Sequence, residues 1–225
     1  MELVYIGKTK DVYDLGNGDV LFRFKDDATV NEDGKIDPGG NLVGLSIDGL
    51  GIASLRMSKY FFEKLGEAGY FTHYVGCDLA AGEMTVRHAK FFGNGVEIIC
   101  RLKAVGSFRR RYGDYCAEGQ ALDYLVEASL KDDERGDPFI AQDTLAELGI
   151  MRAEEYEAIK SLTKNITTVI NDDLADKGLA LYDLKYEFGL VDGKVALIDE
   201  ISAGNMRVYK GDSPLPPMEL GAYFP

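Results

Sequence analysis

The chain has 225 residues, 46% hydrophobic and 28% charged, enough for one large domain or two small ones with a substantial core. Its formal charge of −13 disfavours nucleic acid and anionic membranes as partners, since both need a basic surface. Two histidines exclude a multi-histidine metal centre; the three cysteines, Cys77, Cys100 and Cys116, have no metal-ligand spacing and their odd number argues against a disulfide framework.

No apolar run approaches the ~18 residues of a membrane helix, and MELVYIGKTK lacks the regions of a signal peptide, so a cytoplasmic protein is expected. Short β-branched or aromatic runs at 3–6, 11–15 and 19–25, separated by Gly7 and GNGD, predict strands. A Gly-, Asp- and Asn-rich loop is expected over 31–51. A helix should begin near Ser54, with Leu55, Met57, Tyr60, Phe61 and Leu65 at helical spacing, and stop at Gly66 or Gly69. EMTVRHAKFF and VEIICRLKAV read as consecutive strands joined through GNG as a hairpin. Basic residues concentrate in RLKAVGSFRRRYG, 101–113.

Tyr156, Ile159, Leu162, Ile166, Val169, Ile170 and Leu174 predict a core-facing helix from about Ala153 to Asp176, ended by Gly178. Two strands flank Asp192-Gly193, and a Pro-rich tail follows. The pattern predicts an α+β protein. An antiparallel β-rich N-terminal lobe is expected over 1–90, and a mixed α/β C-terminal lobe over 91–225.

The two late strands carry a puzzle. Asp183, Lys185 and Glu187 share one face of the first, with Tyr182, Leu184, Tyr186 and Phe188 on the other. A half-solvated antiparallel strand accounts for that alternation. The second strand, VALIDEIS, is apolar on both faces until Asp199 and Glu200, and adjacent carboxylates ending a buried strand are costly unless paired or bound to a cation. Protein kinases hold magnesium and a catalytic aspartate in a comparable layout, an analogy only, because no HRD or DFG is present. A two-residue turn at Asp192-Gly193 sets 187 opposite 198 and aims Asp199 away from Glu187. For these two to share one metal, the turn must be odd-length or bulged.

GKTKDVY (7–13), FKDDAT (24–29), EKLGEAGYFTH (63–73), R-x-K-A-x-G-S (101–107), GDP (136–138), D-x-K-x-E-F-G (183–189) and DEIS (199–202) follow one another along nearly the whole chain. In that order they resemble the SAICAR synthetase (phosphoribosylaminoimidazole-succinocarboxamide synthase) family of purine biosynthesis. The resemblance implies an ATP- and Mg²⁺-dependent ligase that joins the carboxylate of an aminoimidazole ribonucleotide to L-aspartate through an acyl phosphate. It implies an ATP cleft between the two lobes, with a nucleotide site like that of kinases and ATP-grasp enzymes. Asp183 and Lys185 would be catalytic. Gly7, Lys8, Lys10, Arg87 and Glu187 would bind the nucleotide, and Asp199 and Glu187 the metal. Arg101, Ser107, Arg111 and Arg207 would bind substrate, the first three the ribonucleotide, arginine being suited to bidentate recognition of phosphate and carboxylate. Taken alone, GKTK is equally a solvent-facing lysine pair, and the arginine run equally a solubilising turn.

The partners implied are small molecules, with neither nucleic acid nor membrane among them; a homodimer is compatible with the resemblance. The chain departs from the family at Ser54-Leu55-Arg56, in place of N-N-[KR], and at KFFGNG, an addition after Val86. Ala203-Gly204 stands in place of Pro-Asp after DEIS, leaving a smaller, uncharged loop expected to be more flexible, with Glu200 or Asp212 as candidate replacement acids. Three alternatives stay open: a related ligase for another carboxylate or amine, a nucleotide-binding paralogue without turnover, and a small-molecule kinase.

Overall fold

A computed structural model describes residues 1–31, 33–40 and 42–225. In chain order come β1 (Glu2–Ile6), β2 (Lys10–Asp14), β3 (Asp19–Phe24), β4 (Asp27–Val30) and β5 (Leu42–Ser46). Helix α1 (Leu50–Glu67), β6 (Tyr74–Asp78), β7 (Glu83–Arg87) and the short β8 (Lys90–Phe91) follow. Next are β9 (Val96–Lys103), α2 (Gly106–Tyr112), β10 (Ala121–Leu130), α3 (Gln142–Glu147) and α4 (Ala153–Asp176). The chain closes with β11 (Ala180–Val191), β12 (Lys194–Ile198), β13 (Met206–Lys210), β14 (Ser213–Pro214) and α5 (Pro217–Gly221). The fold is α+β with antiparallel sheets.

Two compact units divide the chain. The first holds residues 1–91, 188–205 and 216–225; the second holds 92–187 and 206–215. Strand β11 therefore gives its first eight residues to the second unit and its last four to the first.

In the first unit, antiparallel strands run in the order β1-β2-β3-β7-β6. Helix α1 lies against β3, β4 and β6 and buries Leu55, Met57, Phe61 and Leu65 completely. It begins four residues before the expected Ser54. The reason is a remote cap: Asp26 accepts N–H bonds from Gly49 (3.1 Å) and Gly51 (2.8 Å), satisfying amides that have no partner within the helix. Gly51 is required there because a Cβ would stand 2.9 Å from the Lys25 carbonyl oxygen. The expected loop over 31–51 also contains strand β5; Glu32 and Asn41 within it lie outside the described residues.

The expected hairpin between EMTVRHAKFF and VEIICRLKAV does not form. The GNG turn exists, with Gly93 and Gly95 left-handed and Gly95 N–H donating to Phe92 O at 3.0 Å. However, β7 ends at Arg87 and pairs with β3 and β6, β8 pairs with Gly189–Leu190 of β11, and β9 pairs with β10 and β11. A turn sequence fixes the local reversal but not which strands continue to pair on either side of it.

In the second unit the order is β10-β9-β11-β13-β14. One sheet face is apolar: Ile98, Cys100, Val126, Ala128, Leu184, Tyr186, Met206 and Val208 are buried. Helix α4 packs against β9 and β10, and its Thr167 hydroxyl lies 2.8 Å from that of Tyr186. Its expected bounds hold, with Glu155 bonding back to the Arg152 N–H at its start and left-handed Gly178 beyond its end. The turn after β11 has two residues, Asp192 (φ 51°) and Gly193 (φ 75°). Both are left-handed, as a type I′ turn requires; this is not the odd-length turn that a metal shared by Asp199 and Glu187 would ask for.

Truncating Ile170, fully buried on α4, should leave a cavity costing about 2–5 kcal/mol in urea denaturation, whereas exposed Thr168→Ala should stay within about 0.5 kcal/mol. Equal costs would contradict the assignment of the buried face.

Candidate functional site

The charged face of the second unit's sheet follows from register. Asp183 of β11 pairs with Arg101 of β9 on one side and Arg207 of β13 on the other, forming a row across three strands. Arg101 is 2% exposed and its guanidinium is fully engaged. Nε donates to Glu127 at 2.6 Å, Nη1 to Asp183 at 2.8 Å and Nη2 to the Ser107 hydroxyl at 2.9 Å. Arg207 donates to both Asp183 oxygens, at 3.1 and 2.8 Å, and Arg111 to the second Glu127 oxygen at 2.5 Å. Gly106 lets Arg207 lie close: its φ is +55°, and a Cβ there would meet the guanidinium at 2.8 Å.

Three guanidinium groups thus face two carboxylates, one positive charge in excess within a chain of net charge −13. Arg111 and Arg207 keep part of their side chains exposed, 32% and 19%, and can offer N–H groups to an anion. Two residues along β11, Lys185 pairs with Glu97 at 2.6 Å, and Glu97 also accepts from Ser129 at 3.1 Å. Burial pushes the Lys185 ammonium down, but Glu97 more than offsets this and raises its pKa, so Lys185 is a fixed cation at neutral pH. Glu187 pairs with Lys131 at 2.5 Å.

The first unit carries a second cluster. Lys10, 9% exposed at the start of β2, reaches Asp199 and Glu200, each at 2.8 Å. Burial opposes its charge, yet the two carboxylates outweigh that and lift its pKa above the ordinary lysine value. Thr9 donates to the same Glu200 oxygen at 3.1 Å. Gly7 N–H donates to Lys10 O at 3.0 Å in a turn so tight that a Cβ would sit 2.5 Å from that oxygen. Lys8 is half-buried in this turn, and Arg87, exposed at the end of β7, lies over the Phe71 ring.

After β12 the chain reverses through Asp199, a non-glycine residue at φ +68°. The next groups are held in turn: Asp199 O by His73 Nε2 at 3.1 Å and Glu200 O by Asn205 at 2.6 Å, while Ile201 N–H donates to Ser58 Oγ at 3.3 Å. The Ala203-Gly204 segment takes part in a local set of hydrogen bonds. Gly204 N–H donates to Ser202 Oγ at 3.0 Å, Gly204 O accepts from Gly39 N–H at 2.8 Å, and Ser202 N–H donates to Asn205 at 2.9 Å. Among the described residues no group of three or more His, Cys, Asp or Glu is placed to hold a metal.

The expected residues thus gather in two sets, Gly7, Lys10 and Asp199 in one unit and Arg101, Ser107, Arg111, Asp183 and Arg207 in the other. Their partners Glu97, Glu127, Lys131, Glu200 and His73 were not singled out as such from the sequence. Two neighbouring acids in DEIS were a signal for Glu200; the others become visible only with strand register.

The family model for SAICAR synthetase matches residues 3–216. The chain belongs to the SAICAR synthetase family. Within this family, a phosphoribosylaminoimidazole-succinocarboxamide synthase of Clostridium tetani (strain Massachusetts / E88) is 53% identical over 98% of this chain and 97% of that protein. A synthase of the same name from Streptococcus agalactiae serotype V is 34% identical over 94% of this chain and 86% of its own. A solved SAICAR synthetase (Type-2) in complex with ADP has a TM-score of 0.82 at 29% identity, covering 94% of this chain and 85% of the other.

His73 is 2% exposed, and burial pushes its imidazole down to about 4, with only partial compensation from Asp199. Because the folded pKa lies below the unfolded 6.5, the unfolded chain binds a proton that the folded chain refuses between these values. The stability from neutral His73 should be complete above pH 6.5 and fade as pH falls toward 4, about 3 kcal/mol in all. Wild type should lose that much more than His73→Phe in denaturant titrations across this window; equal losses would contradict it.

Proposed function

We infer that the protein is an ATP-dependent carboxylate–amine ligase of purine biosynthesis. It joins carboxyaminoimidazole ribonucleotide to L-aspartate, giving SAICAR, ADP and phosphate. The observation that carries the reading is the surplus of guanidinium charge around Asp183 in a strongly acidic chain of this family. Such a cluster suits a substrate bearing both phosphate and carboxylate.

In this reading a substrate carboxylate oxygen attacks the γ-phosphorus of ATP, ADP departs, the amine nitrogen attacks the acyl carbon, and phosphate leaves. The protein's task is to align the reactants and offset their charge. Arg111 and Arg207 bind the ribonucleotide while Arg101 and Ser107 shape the pocket. Asp183, bonded to two arginines, orients them, and Lys185, held cationic by Glu97, offsets developing negative charge. Lys8 and Lys10 meet nucleotide phosphates beside the Gly7 turn, with Arg87 as a further nucleotide contact.

Mg²⁺ would be held by the Asp199 carboxylate, shared with Lys10 at 2.8 Å, since this ion commonly takes one or two carboxylates and completes its shell with phosphates and water. It would supply charge neutralisation on the transferring phosphate. A part for Glu187 in nucleotide or metal binding would require its carboxylate to be shared with Lys131. A cytoplasmic setting suits the three free cysteines, and a homodimer, to be checked by sedimentation, completes the proposal.

Ala203-Gly204 favours a second reading, in which a different amine is used. Glu200 or Asp212 is the candidate replacement acid, and Glu200 would have to share its carboxylate with Lys10 and Thr9. ADP release, measured with the ribonucleotide fixed and L-aspartate, L-alanine, L-glutamate or L-asparagine varied, separates the two. L-aspartate should lead by tenfold or more in kcat/KM, about 1.4 kcal/mol of transition-state discrimination; a lead by another amine would establish the second reading. Asp199→Asn should abolish turnover with the fold intact, and unchanged activity would remove its metal role. Arg101→Lys should raise KM for the ribonucleotide well above any change for ATP, because lysine loses the planar fork; equal rises in both would contradict the pocket assignment.

A further inference from the structure

Asp199 adopts a left-handed backbone conformation that costs a non-glycine residue about 1–3 kcal/mol unless its surroundings enforce it. The enforcing contact comes from a distant segment. His73 Nε2 lies 3.1 Å from Asp199 O, and since a carbonyl oxygen only accepts, Nε2 carries the proton.

His73 is itself fixed from several directions. Its backbone N–H donates to Leu197 O at 3.0 Å and its carbonyl accepts from Arg87 N–H at 2.8 Å. The preceding residue, Thr72, bridges Leu197 in parallel. The ring sits between two others, with centroids 5.7 Å from Phe22 and 5.5 Å from Phe62. A residue needed only to fill this space could be phenylalanine. Instead a polar ring is buried among aromatics, with a nitrogen aimed at the one peptide whose flanking side chains both grip Lys10.

We propose that His73 is a positioning residue for the ligase reaction: its Nε2–H holds the Asp199–Glu200 peptide so that both carboxylates converge on Lys10. Without this bond, rotation of the peptide would relieve the strain at Asp199 and carry its carboxylate away from the lysine. The proposal rests on the reading that Asp199 and Lys10 serve the nucleotide.

The test compares His73→Phe, which keeps a ring and loses the donor, with His73→Gln, which retains an N–H donor on a side chain of similar reach. Calorimetry with ADP and Mg²⁺ should give at least tenfold weaker affinity in the phenylalanine variant and recovery in the glutamine variant. In turnover, KM for ATP should rise at least tenfold while KM for the ribonucleotide stays within twofold. Wild-type ADP affinity in His73→Phe would overturn the positioning role. Asp199→Asn measured alongside separates the two claims, because wild-type ADP–Mg²⁺ affinity there would mean that the nucleotide reading itself fails. Should His73→Phe not fold, ¹⁵N NMR of the wild-type ring decides: a slowly exchanging proton on Nε2 is required, and a proton on Nδ1 alone refutes the bond.

Discussion

Burying a charge without a partner costs several kcal/mol, and this constraint governs both charged clusters. Arg101, 2% exposed in the middle of a sheet, is tolerable only because Glu127, Asp183 and Ser107 take its N–H groups. Asp183 in turn must be shared with Arg207, and Glu127 with Arg111. Every member is held by at least one other, so the geometry is set before any substrate arrives. The arrangement adds little net stability, since desolvation offsets most of the attraction. Its value is preorganisation, with three planar donors fixed around two carboxylates.

The same constraint acts at Lys10 through a different device. Lys10 is buried because two adjacent carboxylates receive it, and those carboxylates converge because the chain turns through a strained residue. The strain is met by bonds to the Asp199 and Glu200 carbonyls from His73 and Asn205, and by Ile201 N–H donating to Ser58 Oγ. The Ala203-Gly204 turn completes this scheme without a proline, because Asn205 and Ser202 tie it.

Much of this was legible in the sequence, and the residues show why. The alternation of Asp183, Lys185 and Glu187 with apolar neighbours identified the two faces of β11, and the spacing along 153–176 identified α4, because both signals are local and periodic. The order of the motif blocks carried the family. Partner identity was not local. Glu127 and Glu97 face their cations only through cross-strand register, and the cap of α1 comes from Asp26, more than twenty residues away. The GNG motif specifies a reversal but not a hairpin, because flanking strands choose partners by tertiary packing rather than by the turn between them. Apolarity on both sides of β12 flagged Asp199 and Glu200 as anomalous, but nothing in the chain's pattern announced a left-handed aspartate held by a histidine.

The central claim is that the guanidinium–carboxylate row is one interdependent unit. A double-mutant cycle on Arg101→Met and Asp183→Asn, read by denaturant unfolding, addresses it directly. Each single change takes one partner from a buried ion that keeps another and should cost about 1.5–3 kcal/mol, while the double variant should cost less than their sum by about 1.5 kcal/mol. Additive costs, within about 0.5 kcal/mol, would mean that the two residues stabilise the sheet independently and that the row is not preorganised by its own pairing.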